Sequence, residues 1–190
     1  MERCRALTRG LDSLGGYIRS RRPRRSLTRS TATAVRVMEG FSISDRKRLM
    51  EPRVDSLAKD VLLVEDNPAD ALLVRRCFER RTPQHRIHVA KDASEARAFL
   101  HQEHPFRRAP RPSLVLLDLN LPKVGGHELL AQIKHDSCFH TIAIVVLSSS
   151  DAGSDITRSY ELGANAYLVK PISIQKLRTL IGCIDTLWLH

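Results

Sequence analysis

Five short apolar runs constrain this chain more than any other feature: VLLV (61–64), IHVA (87–90), LVLL (114–117), IAIVVL (142–147) and AYLV (166–169). Each is rich in β-branched residues and too short for a helix. None alternates with polar residues, as a half-exposed strand would. Strands with this pattern are buried on both faces, which is the signature of a parallel sheet. The segments between the runs carry helical signals. Asn67 can cap and Pro68 can open a helix with Leu73, Val74, Cys77 and Phe78 facing inward. Asp92 followed by Glu95 reads as a capping box ahead of Ala96, Phe99 and Leu100. Leu129, Leu130 and Ile133 mark a third helix, and Ile156 to Leu162 a fourth, closed by Gly163. Ser173 can cap a fifth, with Ile174, Leu177, Ile181, Ile184 and Trp188 along one side. Leu180, Leu187 and Leu189 fall off that stripe and are expected to be exposed. Strand and helix thus alternate five times, and the fold class is α/β, a doubly wound five-stranded parallel sheet.

The pattern begins near residue 59, so the expected division is a leader over 1–58 and one domain over 59–190. Charge divides the same way. Residues 1–60 hold 15 Lys+Arg against 7 Asp+Glu, and the remainder 16 against 14. Most of the net +10 therefore sits in the leader. Its stretch RSRRPRRSLTRSTATAVR has a composition that fails to pack. A nucleic-acid-binding arm and an organellar presequence both fit it. So does a solvated tail, or upstream sequence before a later start at Met38 or Met50, and the composition favours this last reading. No run of 18 uncharged apolar residues is present, which excludes a membrane-spanning helix. Cys4, Cys77, Cys138 and Cys183 form no CxxC pair and read as the reduced thiols of a cytoplasmic protein.

In open α/β sheets the ligand site lies beyond the carboxyl ends of the strands. The first run ends in Glu65-Asp66, the third in Asp118, the fourth in Ser148 and the fifth in Lys170. The second ends in Lys91-Asp92, expected at the sheet edge. Taken singly, each is an ordinary cap or loop residue. Together they put three acids, a hydroxyl and an amine at one place. Acids gathered in a cleft repel one another unless a cation holds them. All-oxygen donors with no His or Cys nearby suit Mg²⁺. Asp66 and Asp118 are the expected direct ligands, with the Asn120 backbone carbonyl as a third and Glu65 acting indirectly. Asp118 can stay ionised beside Mg²⁺ and Lys170, where it is placed to attack a phosphoryl group.

These residues resemble the receiver domain of two-component response regulators. The match runs over about residues 60–188. It rests on the acidic pair in VLLVEDN and on Asp118 in LLDLNLP, with Gly126 eight residues on, Ser148 thirty on and Lys170-Pro171 at fifty-two. VEDNPAD, DLNLPK, VVLSSSD and the Pro-containing loop EHPFRRAPRP are most similar to stand-alone regulators paired with phytochrome-type histidine kinases. The resemblance implies a flavodoxin-like fold with strand order 2-1-3-4-5, counted from VLLV. It implies that Asp118 takes phosphate from a histidine kinase with Mg²⁺ as cofactor, and that Lys170 pairs with the phosphoryl oxygens. Ser148 would donate its hydroxyl to the phosphoryl group, Tyr167 would be the aromatic of the switch, and Asn120 and Ser150 would tune hydrolysis. It further implies a homodimer through the face of the fourth and fifth helices. Ser148 replaces the commoner Thr, and Gly125 stands where many relatives carry Asp.

Two rival functions are weighed against it. An aspartyl-nucleophile phosphatase would need a second acid two residues after Asp118, where this chain has Asn120. A DNA-binding regulator would need more than the 20 residues that follow Lys170, unless the basic leader binds nucleic acid. The expected outcome is a signalling protein rather than a turnover enzyme, acting through protein contacts, with no membrane association.

Overall fold

The computed structural model describes Gly16–Tyr17 and residues 58–171 and 173–189. Six strands form one sheet: β1 (Gly16–Tyr17), β2 (Asp60–Val64), β3 (Arg86–Ala90), β4 (Leu114–Leu117), β5 (Ala143–Ser148) and β6 (Ala166–Val169). Their order is β1-β6-β5-β4-β2-β3. The last five are parallel throughout, so the expected order 2-1-3-4-5 is borne out. Apart from Gly16–Tyr17 and Ala58, the leader lies outside the described residues. Those two residues add a rung the periodicity did not announce, pairing antiparallel with Leu168 and Tyr167 on the edge of β6.

The continuous apolar runs are explained by the two layers that cover the sheet. Val61, Leu63, Leu114, Leu116, Val145 and Leu147 point to one face, against α1 (Pro68–Arg81) and α5 (Ile174–Ile184). Leu62, Val64, Val115, Leu117, Ile144 and Val146 point to the other. There they meet α2 (Ala93–Leu100), α3 (Gly126–His135) and α4 (Gly153–Glu161). All twelve are at most 1% exposed, and each such side chain stabilises the fold by ~1.5–3 kcal/mol.

The helix starts follow the expected chemistry. The Asn67 side chain accepts from the backbone N–H groups of Ala69 and Asp70, and Pro68 opens the helix. Asp92 accepts from the Glu95 N–H at 2.8 Å, while the Glu95 carboxylate accepts from the N–H of Lys91, one residue earlier than a strict capping box. Gly163 closes the turn after α4 with φ of 95°.

Two helical stripes need correction. Leu73 is exposed, and Ala71 takes its place beside Val74, Cys77 and Phe78. The buried positions 71, 74, 77 and 78 follow the three-four spacing of one helical face, and Leu73 lies about 200° from Ala71 and off that face. On α5 the buried set is Leu177, Leu180, Ile181 and Ile184, a regular three-four spacing. Leu180 is thus core. Ile174, at the first helical position, is exposed. The helix then runs into one π-helical turn, Asp185–Leu189. A π turn spaces facing residues by five rather than four, so Leu189 follows Ile184 into the core, while Leu187 and Trp188 are half-buried.

Candidate functional site

Because β2, β4, β5 and β6 run parallel, their carboxyl ends open on one edge of the sheet, and each delivers a functional group there. Glu65 and Asp66 leave β2, Asp118 leaves β4, Ser148 is the last residue of β5, and Lys170 leaves β6. Oxygens of Glu65, Asp66 and Asp118 lie within 4.8 Å of one another. Glu65 and Asp118 are buried and Asp66 is exposed.

Lys170 ties the cluster together. Its Nζ donates to Glu65 Oε2 at 2.6 Å and to Asp118 Oδ2 at 2.7 Å. Burial works against the ammonium, but hydrogen bonds and charges from Asp118 and Glu65 overcome it and hold its pKa above the usual lysine value. Burial pushes the Glu65 carboxyl up, the charge of Asp118 pushes it further, and Lys170 opposes both. The second strand's Lys91-Asp92 stays out of the site and serves α2 instead.

A third partner of Lys170 escaped the sequence reading. Asp70 Oδ2 stands 3.3 Å from Nζ. Its signal was available: it lies four residues after Asp66, one turn into a helix whose start was legible.

The loop after Asp118 is fixed by backbone proximity. A Cβ on Gly126 would sit 2.5 Å from Leu119 Cα and closer still to the Asp118 carbonyl oxygen. The Gly126 N–H donates to the Leu119 carbonyl at 2.9 Å. Only glycine admits this approach. At Gly125, by contrast, a Cβ would meet nothing within 4 Å, and α3 starts without a side-chain cap. The Asn120 N–H donates to Asp118 Oδ1 at 3.2 Å, and the exposed Asn120 side chain donates to Ser149 Oγ at 3.3 Å.

Ser148 is fully buried, and its Oγ accepts from the Ser150 N–H at 3.3 Å. Tyr167 is 1% exposed, and its hydroxyl donates to the Ser150 carbonyl at 2.8 Å. Burial pushes the Tyr167 hydroxyl pKa up, against hydrogen bonds with Ser148 and Ser150. Ser150 Oγ in turn donates to Asp155 Oδ2 at 2.6 Å. The structure thus brings Glu65, Asp66, Asp118 and Lys170 together, and ties Ser148, Ser150 and Tyr167 to one another and to Asp155 in a second hydrogen-bonded group.

The donor set fits a hard divalent cation: oxygens only, convergent, and short of positive charge beyond Lys170. Mg²⁺ is that cation, held by the acidic cluster. Among the described residues, no helix is long and apolar enough to cross a membrane.

The family model described as response regulator receiver domain matches residues 61–182. Response regulator Rcp1 of Synechocystis is 41% identical over 132 residues, 70% of this chain and 90% of that protein. The phosphorylated cyanobacterial phytochrome response regulator RcpA superposes with a TM-score of 0.66 at 42% identity, over 70% of this chain and 94% of that one. The Mn²⁺-bound form of Rcp1 gives 0.64 at 41%, over 70% and 95%.

Proposed function

The chain belongs to the response regulator receiver family, and from that premise we propose that Asp118 is its phosphoacceptor and that Lys170, Ser148 and Tyr167 carry the response. Phosphoryl acceptance in two-component signalling is its function, and histidine kinases are the partners of its family. The observation that carries the residue assignment is the Lys170 bridge, with one ammonium within 2.7 Å of both Asp118 and Glu65.

In the transfer, a carboxylate oxygen of Asp118 attacks the phosphorus of a phosphohistidine. A P–O bond forms, the P–N bond breaks, and the imidazole leaves with the bonding pair. The acidic cluster would hold Mg²⁺, which when bound would supply charge neutralisation for the transferring group. Asp66 and Asp118 would ligate it with the Asn120 carbonyl, and Glu65 would act indirectly. Lys170 already faces Asp118 and would bind the incoming oxygens. Ser148 would donate its hydroxyl to the phosphoryl group, and Asn120 and Ser150 would set how water reaches it.

Labelling tests this. With Mg²⁺ and acetyl phosphate the protein gains one hydroxylamine-sensitive phosphoryl group, and Asp118→Asn gains none while keeping its fold. Equal labelling of the variant would overturn the acceptor assignment.

The working unit of this reading is a receiver domain over 59–190, behind a basic leader over 1–58, acting in the cytoplasm. It catalyses only its own phosphorylation and dephosphorylation. Similarity to the phytochrome response regulator RcpA and to the bacteriophytochrome response regulator RtBRR, at 42% and 38% identity, favours a phytochrome-type kinase as donor. A homodimer through the face of α4 and α5 would use Leu187 and Trp188, since Leu180 and Leu189 belong to the core. Sedimentation that stays monomeric at high micromolar concentration, with and without a phosphoryl mimic, would remove it.

A further inference from the structure

Helix α4 is anchored in an unusual way for a helix that covers a sheet. Among its described residues Ser159 is the one that is buried, and it is polar. Ile156 and Tyr160 reach the core only in part. The preceding Ala152 gives no side-chain cap. An apolar stripe normally holds a helix in place, and here it is short, formed by half-buried Ile156 and Tyr160. Polar contacts add to it, and two of them meet at His127.

His127 lies in the first turn of α3, immediately after Gly126, whose backbone is pressed against the Asp118 carbonyl. Its Nε2 is 3.0 Å from Ser159 Oγ and 3.2 Å from the Asp155 carbonyl oxygen. The direction of these bonds follows from their partners. Ser159 gives its one hydroxyl hydrogen to the Asp155 carbonyl at 2.7 Å. Both oxygens must then accept from His127, which carries its proton on Nε2. The same Asp155 accepts at Oδ2 from Ser150, and the Ser150 carbonyl accepts from the Tyr167 hydroxyl. A continuous chain of hydrogen bonds therefore runs from the acceptor loop through α3 and α4 to Tyr167.

We propose that His127 is a positioning residue of the switch: by donating from α3 to α4 it holds α4 seated and keeps Tyr167 turned inward. The inference rests on Tyr167 being the switch aromatic. It adds the link by which the acceptor loop reaches that aromatic from the helix side, independently of the Ser148 hydroxyl. Without the donor, α4 keeps its contacts through Ser150 and through Tyr160, whose hydroxyl accepts from the Tyr167 N–H at 3.2 Å, and Tyr167 gains an outward population.

The test uses the full chain carrying 3-fluorotyrosine, with the Tyr167 resonance assigned by Tyr167→Phe. His127→Phe fills the space without a donor, whereas His127→Gln restores one. In the wild type, Tyr167 gives a single inward resonance. His127→Phe adds a second resonance of roughly a tenth of the intensity or more, and His127→Gln returns the wild-type spectrum. Should His127→Phe fail to fold, Ser159→Ala removes one acceptor and gives a second resonance by the same route. A His127→Phe spectrum identical to wild type, or a His127→Gln spectrum as altered as that of Phe, overturns the proposal. Uptake of beryllofluoride with Mg²⁺ is read separately on the fluoride resonance. A wild type that takes up none sinks the phosphoacceptor reading, while the spectra recorded without it still decide the role of His127.

Discussion

A single added methyl group at residue 126 would collide with the backbone that carries Asp118. Gly126→Ala is expected to destabilise the domain by ~1–3 kcal/mol and to slow labelling of Asp118, because the clash can be relieved only by moving the acceptor loop. Thermal melts and acetyl phosphate labelling of one preparation check both effects, and Gly125→Ala, which meets nothing, should change neither. The metal ligands divide on similar grounds. Glu65 is buried and already bound to Lys170 and to the Asn67 N–H, whereas Asp66 is exposed. Asp66→Ala should therefore weaken Mg²⁺ binding well beyond Glu65→Ala in a calorimetric titration, and equal losses would contradict the division. These groups were legible in the sequence because each directly follows a strand, and a parallel sheet sends all such positions to one edge. His127 and Asp155 were not, since a helical residue's target depends on the phase of its helix and on what packs against it. Ser150 was assigned from the family resemblance, and its bond to Asp155 could not be read from that.

At the level of elements, the lesson of α5 is one of phase. A period of 3.6 residues carried through to residue 189 puts Trp188 inside and Leu189 outside, whereas the π turn at Asp185–Leu189 buries Leu189 and leaves Trp188 half-buried. Nothing in DTLWL announces that turn. A buried His85–Asp185 contact of 2.7 Å, with the Lys59 N–H donating to the other ring nitrogen at 3.1 Å, fastens its first residue to the opposite end of the sheet. Leu180→Glu is accordingly expected to act on folding rather than on association, by ~3–5 kcal/mol as an uncompensated buried charge, read as a fall in denaturant midpoint at low protein concentration. Strand register has its own lock. Arg86 donates from Nε and Nη2 to Asp60 at 2.9 and 3.0 Å, and His88 contacts the same carboxylate at 2.8 Å, across the β2–β3 pair. The hydrogen bond from Arg86 holds the Asp60 carboxyl below its ordinary value, despite burial. A folded-state pKa that is depressed stabilises the fold above the unfolded value of 3.8 and loses that stability as pH falls through the folded one. Acid unfolding of Asp60→Asn should be flatter with pH below about 4 than that of the wild type.

Over the whole molecule, the five parallel strands, their order and the two covering layers were all legible, because burial on both faces leaves uninterrupted apolar runs. The sixth strand was not. Gly16 and Tyr17 are held by main-chain pairing to Leu168 and Tyr167, and such pairing leaves no trace in side-chain periodicity. The site has a counterpart at this scale too. Glu65, Asp118 and Asp70 share one ammonium, and Asp66 stands within the same cluster, so the metal-free fold carries uncompensated negative charge. Asp118→Asn should therefore melt higher than the wild type in chelator, and gain less on addition of Mg²⁺. A ligand that binds only the folded state adds about 2.7 kcal/mol when present at a hundred times its dissociation constant. The free ion level in the cell then governs how much of this protein survives proteolysis as well as how fast it is phosphorylated, so magnesium starvation would shrink the pool of receivers and the traffic through each one together.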